Sequence, residues 1–168
     1  CCDPHIIPWG SYDQREVEAR SDVLVYTSDK LDKPIEVTGP IIVKLFASTD
    51  CRDTDFTAKL IDVYPDGRAL NLCDGIIRGR YRNSTTTKEL LQPNKIYEFT
   101  IDLWPTSNLF KAGHKIRVDI SSSNFPRFDR NTNTGNSINS DPELMIANQT
   151  IYHESGMLSH IILPIIQN

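Results

Sequence analysis

The sequence predicts an all-β chain folded as a two-sheet jelly-roll sandwich. Three observations carry that expectation. Apolar and polar residues alternate with a period of two through much of the 168-residue chain, as they do in strands with one buried face. Gly- and Pro-containing turn signals cut these runs at short intervals, which suits many short strands. No stretch carries the 3.6-residue period of a long amphipathic helix, and residues 15–20 supply at most one helical turn. The long polar stretch before the last two strands fits a Greek-key crossing better than a meander. The absence of a Cys…Trp…Cys framework weighs against an immunoglobulin-like sandwich.

In chain order, strands are expected at residues 22–27, 35–38, 41–48, 54–64, 68–71, 75–82, 96–103, 115–121, 150–153 and 159–165. Within 41–48, Ile41, Val43, Leu45 and Ala47 point one way. Ile42 and Phe46 make the other face apolar as well, so this strand is expected to be covered on both sides. Thr38-Gly39-Pro40 separates it from 35–38. Pro65-Asp66-Gly67 has Pro and Gly where a tight turn wants them, which makes 54–64 and 68–71 a hairpin. Asp74-Gly75 and Leu91-Gln92-Pro93-Asn94 read as further turns. In 96–103, Tyr97, Phe99, Ile101 and Leu103 oppose Glu98, Thr100 and Asp102. A short helical turn is expected from Ser107 to His114. In 115–121, Ile116, Val118 and Ile120 oppose Lys115, Arg117 and Asp119.

Length and charge bound the function. At roughly 100–200 residues per domain, the chain is one domain. The net charge of −4, without a basic stripe, excludes nucleic acid from the expected partners. No apolar run approaches the roughly 18–20 residues of a membrane-spanning helix. Cys1, Cys2, Cys51 and Cys73 lack metal-site spacing. A Cys51–Cys73 disulfide is open, but free thiols in a reducing, cytoplasmic compartment are the favoured reading. No cofactor and no metal are expected.

Catalytic machinery is not legible. Gly135-Asn136-Ser137-Ile138-Asn139 lacks the second glycine of a nucleophile elbow. His5, His114, His153 and His160 are not spaced as ligands. His114 is expected to cap a turn or face solvent, and His153 and His160 to approach each other across the 154–158 turn. Asp50, Asp53 and Asp55 suggest calcium, but the favoured reading pairs Asp53 or Asp55 with an arginine such as Arg127 or Arg130. Arg78, Arg80 and Arg82 share one strand face, which either lies in solvent or meets a partner's carboxylates. The segment SSSNFPRFDRNTNTGNSINS, residues 121–140, is a long loop, because Asn and Ser side chains bond their own backbone. Loops longer than about 12–15 residues in compact domains are usually functional or disordered. The aromatics and charges of this one mark it as an ordered contact loop.

The run LWPTSNLFKAGHKIRVDISSSNFPRFDRN, residues 103–131, closing at Asn133-Thr134-Gly135, resembles the C-terminal domain of the X-Pro dipeptidyl-peptidase and cocaine-esterase family of acyl hydrolases. Residues 22–28 and 54–67 are similar to its opening strands, and 149–153 and 159–164 to its last two. The similarity runs from about residue 12 to residue 166. The resemblance implies a non-catalytic jelly roll of galactose-binding-like type. The Ser-His-Asp triad would belong to an α/β-hydrolase domain that precedes it, and no residue here matches that triad. The implied partner is this α/β-hydrolase catalytic domain of the same full-length chain, with no nucleic acid and no membrane, and with an oligomer open. Residues 1–21 are then expected to be an interdomain linker segment and 22–168 the jelly-roll domain. The start at Cys1-Cys2, without Met, reads as a cut at that junction. The expected docking face comprises Trp104, Asn124, Phe125, Arg127, Phe128, Asp129, Arg130, Asn131 and Asn133. The alternative is an autonomous carbohydrate-binding module that stacks sugars on Trp9, Tyr12 and Trp104.

Overall fold

The computed structural model describes residues 10–137 and 141–167. Its elements begin with a one-turn helix α1 (Arg15–Glu18) and strands β1 (Leu24–Thr27), β2 (Ile35–Thr49), β3 (Asp55–Val63) and β4 (Ala69–Arg78). A 3-10 turn at Gly79–Tyr81 leads on to β5 (Tyr97–Phe110) and β6 (Lys115–Ser121). The chain ends in β7 (Gln149–Ile151), β8 (His153–Glu154), β9 (Met157–Leu158) and β10 (His160–Ile162). Every strand pairing is antiparallel. One sheet has the order β1-β6-β3-β4; the other has β10-β2-β5, with β7 also paired to β2; β8 and β9 form a small hairpin. No helix among the described residues is long and apolar enough to cross a membrane.

The all-β expectation holds, and period-two patterning explains the packing. Phe56, Ala58 and Leu60 of β3 and Ile120 of β6 meet Val43, Leu45 and Ala47 of β2 and Phe99, Ile101 and Leu103 of β5 in one core between the sheets. The rings of Phe56 and Phe99 lie 4.8 Å apart across it. A second, small cluster of Ile61, Val63 and Ala69 lies outside this core. Residues 11–14 are fastened at that end of β4. Gln14 N–H donates to the Ala69 carbonyl at 2.8 Å, and Tyr12 N–H to Asn71 Oδ1 at 2.8 Å.

Some local expectations are corrected. Thr38-Gly39-Pro40 does not break the chain, since β2 is one strand of 15 residues. Gly39 takes a φ of +137°, and Pro40 faces Pro105 across the ladder, so two residues that cannot donate hydrogen bonds occupy the same step. Nor does β5 stop at Leu103 and turn helical at Ser107. It continues because Asn108, Leu109 and Phe110 pair with Val37, Glu36 and Ile35, and because Phe110 is buried in the core. Within it, Pro40 pairs with Pro105 and Ile42 with Asp102, so Leu103 and Trp104 together oppose Ile41. That is a β-bulge, and Trp104 sits in it at φ +69°.

Asp74-Gly75 is not a turn either. β4 runs straight through it, and Gly75 marks where the sheets touch: a Cβ there would lie 2.0 Å from the Asp102 carbonyl oxygen. The hairpin at Pro65-Asp66-Gly67 forms as expected. Tyr64 N–H donates to the Arg68 carbonyl at 2.8 Å, and Gly67 adopts the φ of +92° that the turn requires.

Candidate functional site

The antiparallel register that pairs Asp55 with Arg78 builds a charged frame at one end of the first sheet. Arg78 Nε and Nη2 donate to the two Asp55 carboxylate oxygens, each at 2.9 Å. One turn on, Arg80 Nε reaches Asp53 Oδ2 at 2.6 Å and its backbone N–H reaches Asp53 Oδ1 at 2.8 Å. Asp53 is 0% exposed and Arg80 4%. Parallel N–H···O bonds of this type are strong and geometrically specific.

The long loop is pinned onto this frame. Asn131 Nδ2 donates to Asp53 Oδ2 at 2.8 Å and to Asp55 Oδ1 at 2.7 Å. Arg80 Nη1 donates to the Asn136 carbonyl at 2.7 Å, and Arg78 Nη2 to the Asp129 carbonyl at 3.1 Å. A second pin lies on β4, where Asp74 accepts from Asn124 Nδ2 at 2.6 Å and pairs with Arg127. Arg127 also covers the Phe128 ring at 5.4 Å. The partners of Asp53 and Asp55 are therefore Arg80 and Arg78, not Arg127 or Arg130. Pairing across one hairpin was the nearer solution.

Arg78, Arg80 and Arg82 do not form a solvated face. The strand ends at Arg78, the 3-10 turn re-aims the next two, and all three side chains are largely buried against Asp55, Asp53 and Glu89. Asp50 is not part of this group; it accepts from Asn148 N–H at 2.9 Å and Nδ2 at 2.7 Å. Among the described residues no three His, Cys, Asp or Glu side chains are grouped to hold a metal ion.

The predicted loop residues divide into two sets. Asn124 and Asn131 turn inward to the frame, while Arg127 pairs with Asp74 from an exposed position. Phe125, Asp129 and Arg130 remain exposed, and Phe128 is half-buried. Phe125 is 64% exposed and Trp104 66%. Trp104 N–H donates to Asp102 Oδ1 at 2.8 Å. The backbone beside it abuts Gly75, the neighbour of the Asp74 that holds Asn124 and Arg127. Asn133, at φ +63°, donates from Nδ2 to the Met145 carbonyl at 2.8 Å, and Met145 N–H returns to the Thr132 carbonyl at 3.0 Å.

This exchange fixes a segment that sequence reasoning missed, Leu144-Met145-Ile146, whose side chains are all exposed, Ile146 at 89%. The available signal was three consecutive apolar residues without strand alternation inside a polar connection. Single exposed apolar residues are ordinary, but a contiguous set suggests a binding surface.

The remaining candidates lie elsewhere. His114 is buried rather than solvent-facing, because the β3–β6 pairing brings Asp62 within reach; its Nδ1 lies 2.8 Å from Asp62 Oδ1. His153 and His160 line a common cleft, but His153 bonds Tyr26 and His160 bonds the Leu158 carbonyl. Cys51 and Cys73 are free thiols, and burial pushes Cys73 up to about 11. Tyr12 is fastened to β4, distant in sequence from the loop. Trp9, His5, Cys1 and Cys2 lie outside the described residues.

A family model described as the X-Pro dipeptidyl-peptidase C-terminal non-catalytic domain matches residues 2–162. Cocaine esterase of Rhodococcus sp. (strain MB1 Bresler) is 49% identical over 160 residues, covering 94% of this chain and 28% of that protein. The crystal structure of an aminopeptidase from a marine sediment Thaumarchaeota archaeon superposes with a TM-score of 0.90 at 36% identity, over 93% of this chain and 28% of that one. An α-amino acid ester hydrolase superposes with a TM-score of 0.88 at 35% identity, over 92% and 27%. The chain thus spans about 28% of the length of cocaine esterase and of the aminopeptidase.

Proposed function

This chain belongs to the X-Pro dipeptidyl-peptidase C-terminal non-catalytic domain family, and on that basis we propose that it packs on the α/β-hydrolase domain of a serine acyl hydrolase and helps wall its active site. The observation that carries this reading is the exposure of Trp104, Phe125 and Leu144-Met145-Ile146, beside a loop that Asn124 and Asn131 pin to Asp74, Asp53 and Asp55. Aromatic and aliphatic side chains presented on a fixed backbone are what a docking face needs, since little conformational freedom is lost when they are covered. Asp129 and Arg130 would supply the polar rim. The relatives are named an esterase, an aminopeptidase and an ester hydrolase, which supports a parent that acts on acyl bonds.

The test uses the full-length protein. A Trp104→Ser, Ile146→Ser double variant is compared with wild type for amide exchange across the hydrolase domain and for turnover of a nitrophenyl ester. Faster exchange at the facing surface together with reduced turnover supports docking. Unchanged exchange and turnover overturns it. Wild-type oligosaccharide binding that the variant loses, with exchange unchanged, would instead make Trp104 part of a carbohydrate-binding module.

A further inference from the structure

The two sheets meet tightly at Gly75 and Asp102, while on the other side the sandwich is open. β1 is the edge strand there. Leu24 and Tyr26 pair with Ile120 and Val118 of β6, which belong to or pack on the core, yet both stay exposed. A cleft of about 210 Å³ enters at this point, lined by Tyr26, Val43, Leu45, Ile120, His153 and His160 among others. Val43, Leu45 and Ile120 are buried core residues, so the floor of the cleft reaches between the sheets. The cleft opens to solvent at Tyr26 and His160, and for comparison an apolar cavity of about 150 Å³ accommodates benzene.

Polar groups gather at the mouth. The Tyr26 hydroxyl and His153 Nε2 are 3.0 Å apart, with the rings edge-on at 5.1 Å. Desolvation raises the Tyr26 pKa, which favours the uncharged phenol. Ser159 is already engaged, donating to the Tyr152 carbonyl at 2.7 Å and accepting from Phe46 N–H at 3.0 Å. Lys44, which pairs with His160 across the strands, is held by Glu98 at 2.9 Å. His160 Nδ1 lies 2.7 Å from the Leu158 carbonyl. A carbonyl only accepts, so Nδ1 donates to it, which leaves Nε2 as the ring nitrogen available to a ligand. A ligand in this cleft is therefore offered apolar walls with the His160 imidazole and the Tyr26–His153 pair at the mouth, while Lys44 is held by Glu98.

We propose that the cleft binds a compact, uncharged monocyclic phenol. Its ring would lie against Val43, Leu45 and Ile120, and its hydroxyl would donate to His160 Nε2. An aromatic carboxylate of the same size is disfavoured, because burying a charge against these walls carries a large desolvation cost.

Phenol, toluene and benzoate are titrated into the full-length protein carrying ¹³C-labelled Ile, Leu and Val methyl groups. Phenol is expected to shift the Val43, Leu45 and Ile120 methyl resonances and to bind more tightly than toluene, with benzoate shifting none of them. His160→Phe should remove the preference for phenol over toluene. Leu45→Phe should fill the cleft and abolish binding; Ile161→Phe, at the half-buried wall, does the same if the core variant fails to fold. The proposal is overturned if phenol leaves those methyls unmoved, if benzoate binds as well as phenol, or if a filled cleft still binds.

Discussion

Trp104 and Asp119 are the residues whose local environments are most at odds with their chemistry. Trp104 is a bulky residue in the left-handed region, at φ +69°, where an L side chain costs roughly 1–2 kcal/mol. The carboxylate of Asp102 and the bulge hold it there. Removing the ring in two ways separates the backbone from the side chain. Trp104→Gly should exceed Trp104→Ala in stability by about 1 kcal/mol by urea unfolding, because only glycine adopts this φ without strain. Equal stabilities would mean the bulge carries no strain.

Asp119 is 3% exposed, and neither of its carboxylate oxygens has a partner among the described residues. Burial, then the Glu18 carboxylate, pushes its pKa up to about 7, against the pull of Arg117 and Lys59. The folded state thus keeps a proton that an unfolded aspartate releases near pH 4. The stability contribution of Asp119 is therefore lost progressively as pH rises from about 4 to about 7, and is level above that. Asp119→Asn should flatten this slope and raise the melting temperature most at alkaline pH. Wild type and variant falling in parallel between pH 5 and 8 would contradict it.

Among the elements, β4 carries the two tightest constraints. At Gly75 its backbone touches that of β5, leaving a Cβ no space beside the Asp102 carbonyl. Gly75→Ala should cost about 3 kcal/mol or more, since backbone on both sides must move; a loss under about 1 kcal/mol in urea titration would mean the sheets are not locked there. At the end of the strand, the Asp53–Arg80 pair is buried on both sides. Truncating one partner leaves a lone buried charge, a loss of about 3–5 kcal/mol. Asp53→Ala should be far worse than the combined Asp53→Leu, Arg80→Met variant, and a double-mutant cycle reads that difference. The loop rests on the same pair through Asn131 and Asn136, so Asp53→Ala should also expose residues 124–136 to protease.

The whole molecule is asymmetric: closed where β4 meets β5, open where β1 faces the β7–β10 side. Amide exchange should follow that asymmetry. The four residues of β1 are all exposed, so their amides should exchange well before those of β3, which lies between β6 and β4. Equal protection would contradict the open side.

Much of this architecture is legible in the chain itself. The alternation of Tyr97, Phe99, Ile101 and Leu103, and of Ile116, Val118 and Ile120, determines the strands and their buried faces, because side chains on a strand must point alternately to either side. The Pro65-Asp66-Gly67 turn determines the hairpin through the φ values those residues accept. The irregular run from Leu103 to Asn131 carries the family. Local signals misled where a residue served a distant contact. Gly39 and Gly75 read as turns, but one sits inside a long strand and the other where two sheets touch. Ser107 to His114 reads as a helical turn, but its first four residues pair with Ile35, Glu36, Val37 and Thr38 instead. Arg78, Arg80 and Arg82 read as one strand face, in solvent or against a partner, because period two cannot foresee a 3-10 turn. Which aspartate meets which arginine, that Leu144-Met145-Ile146 stays bare, and that a cleft opens beside Tyr26 were decided only by tertiary structure. Burial, ion pairing and cavities depend on the approach of segments far apart in sequence, and no local pattern encodes that approach.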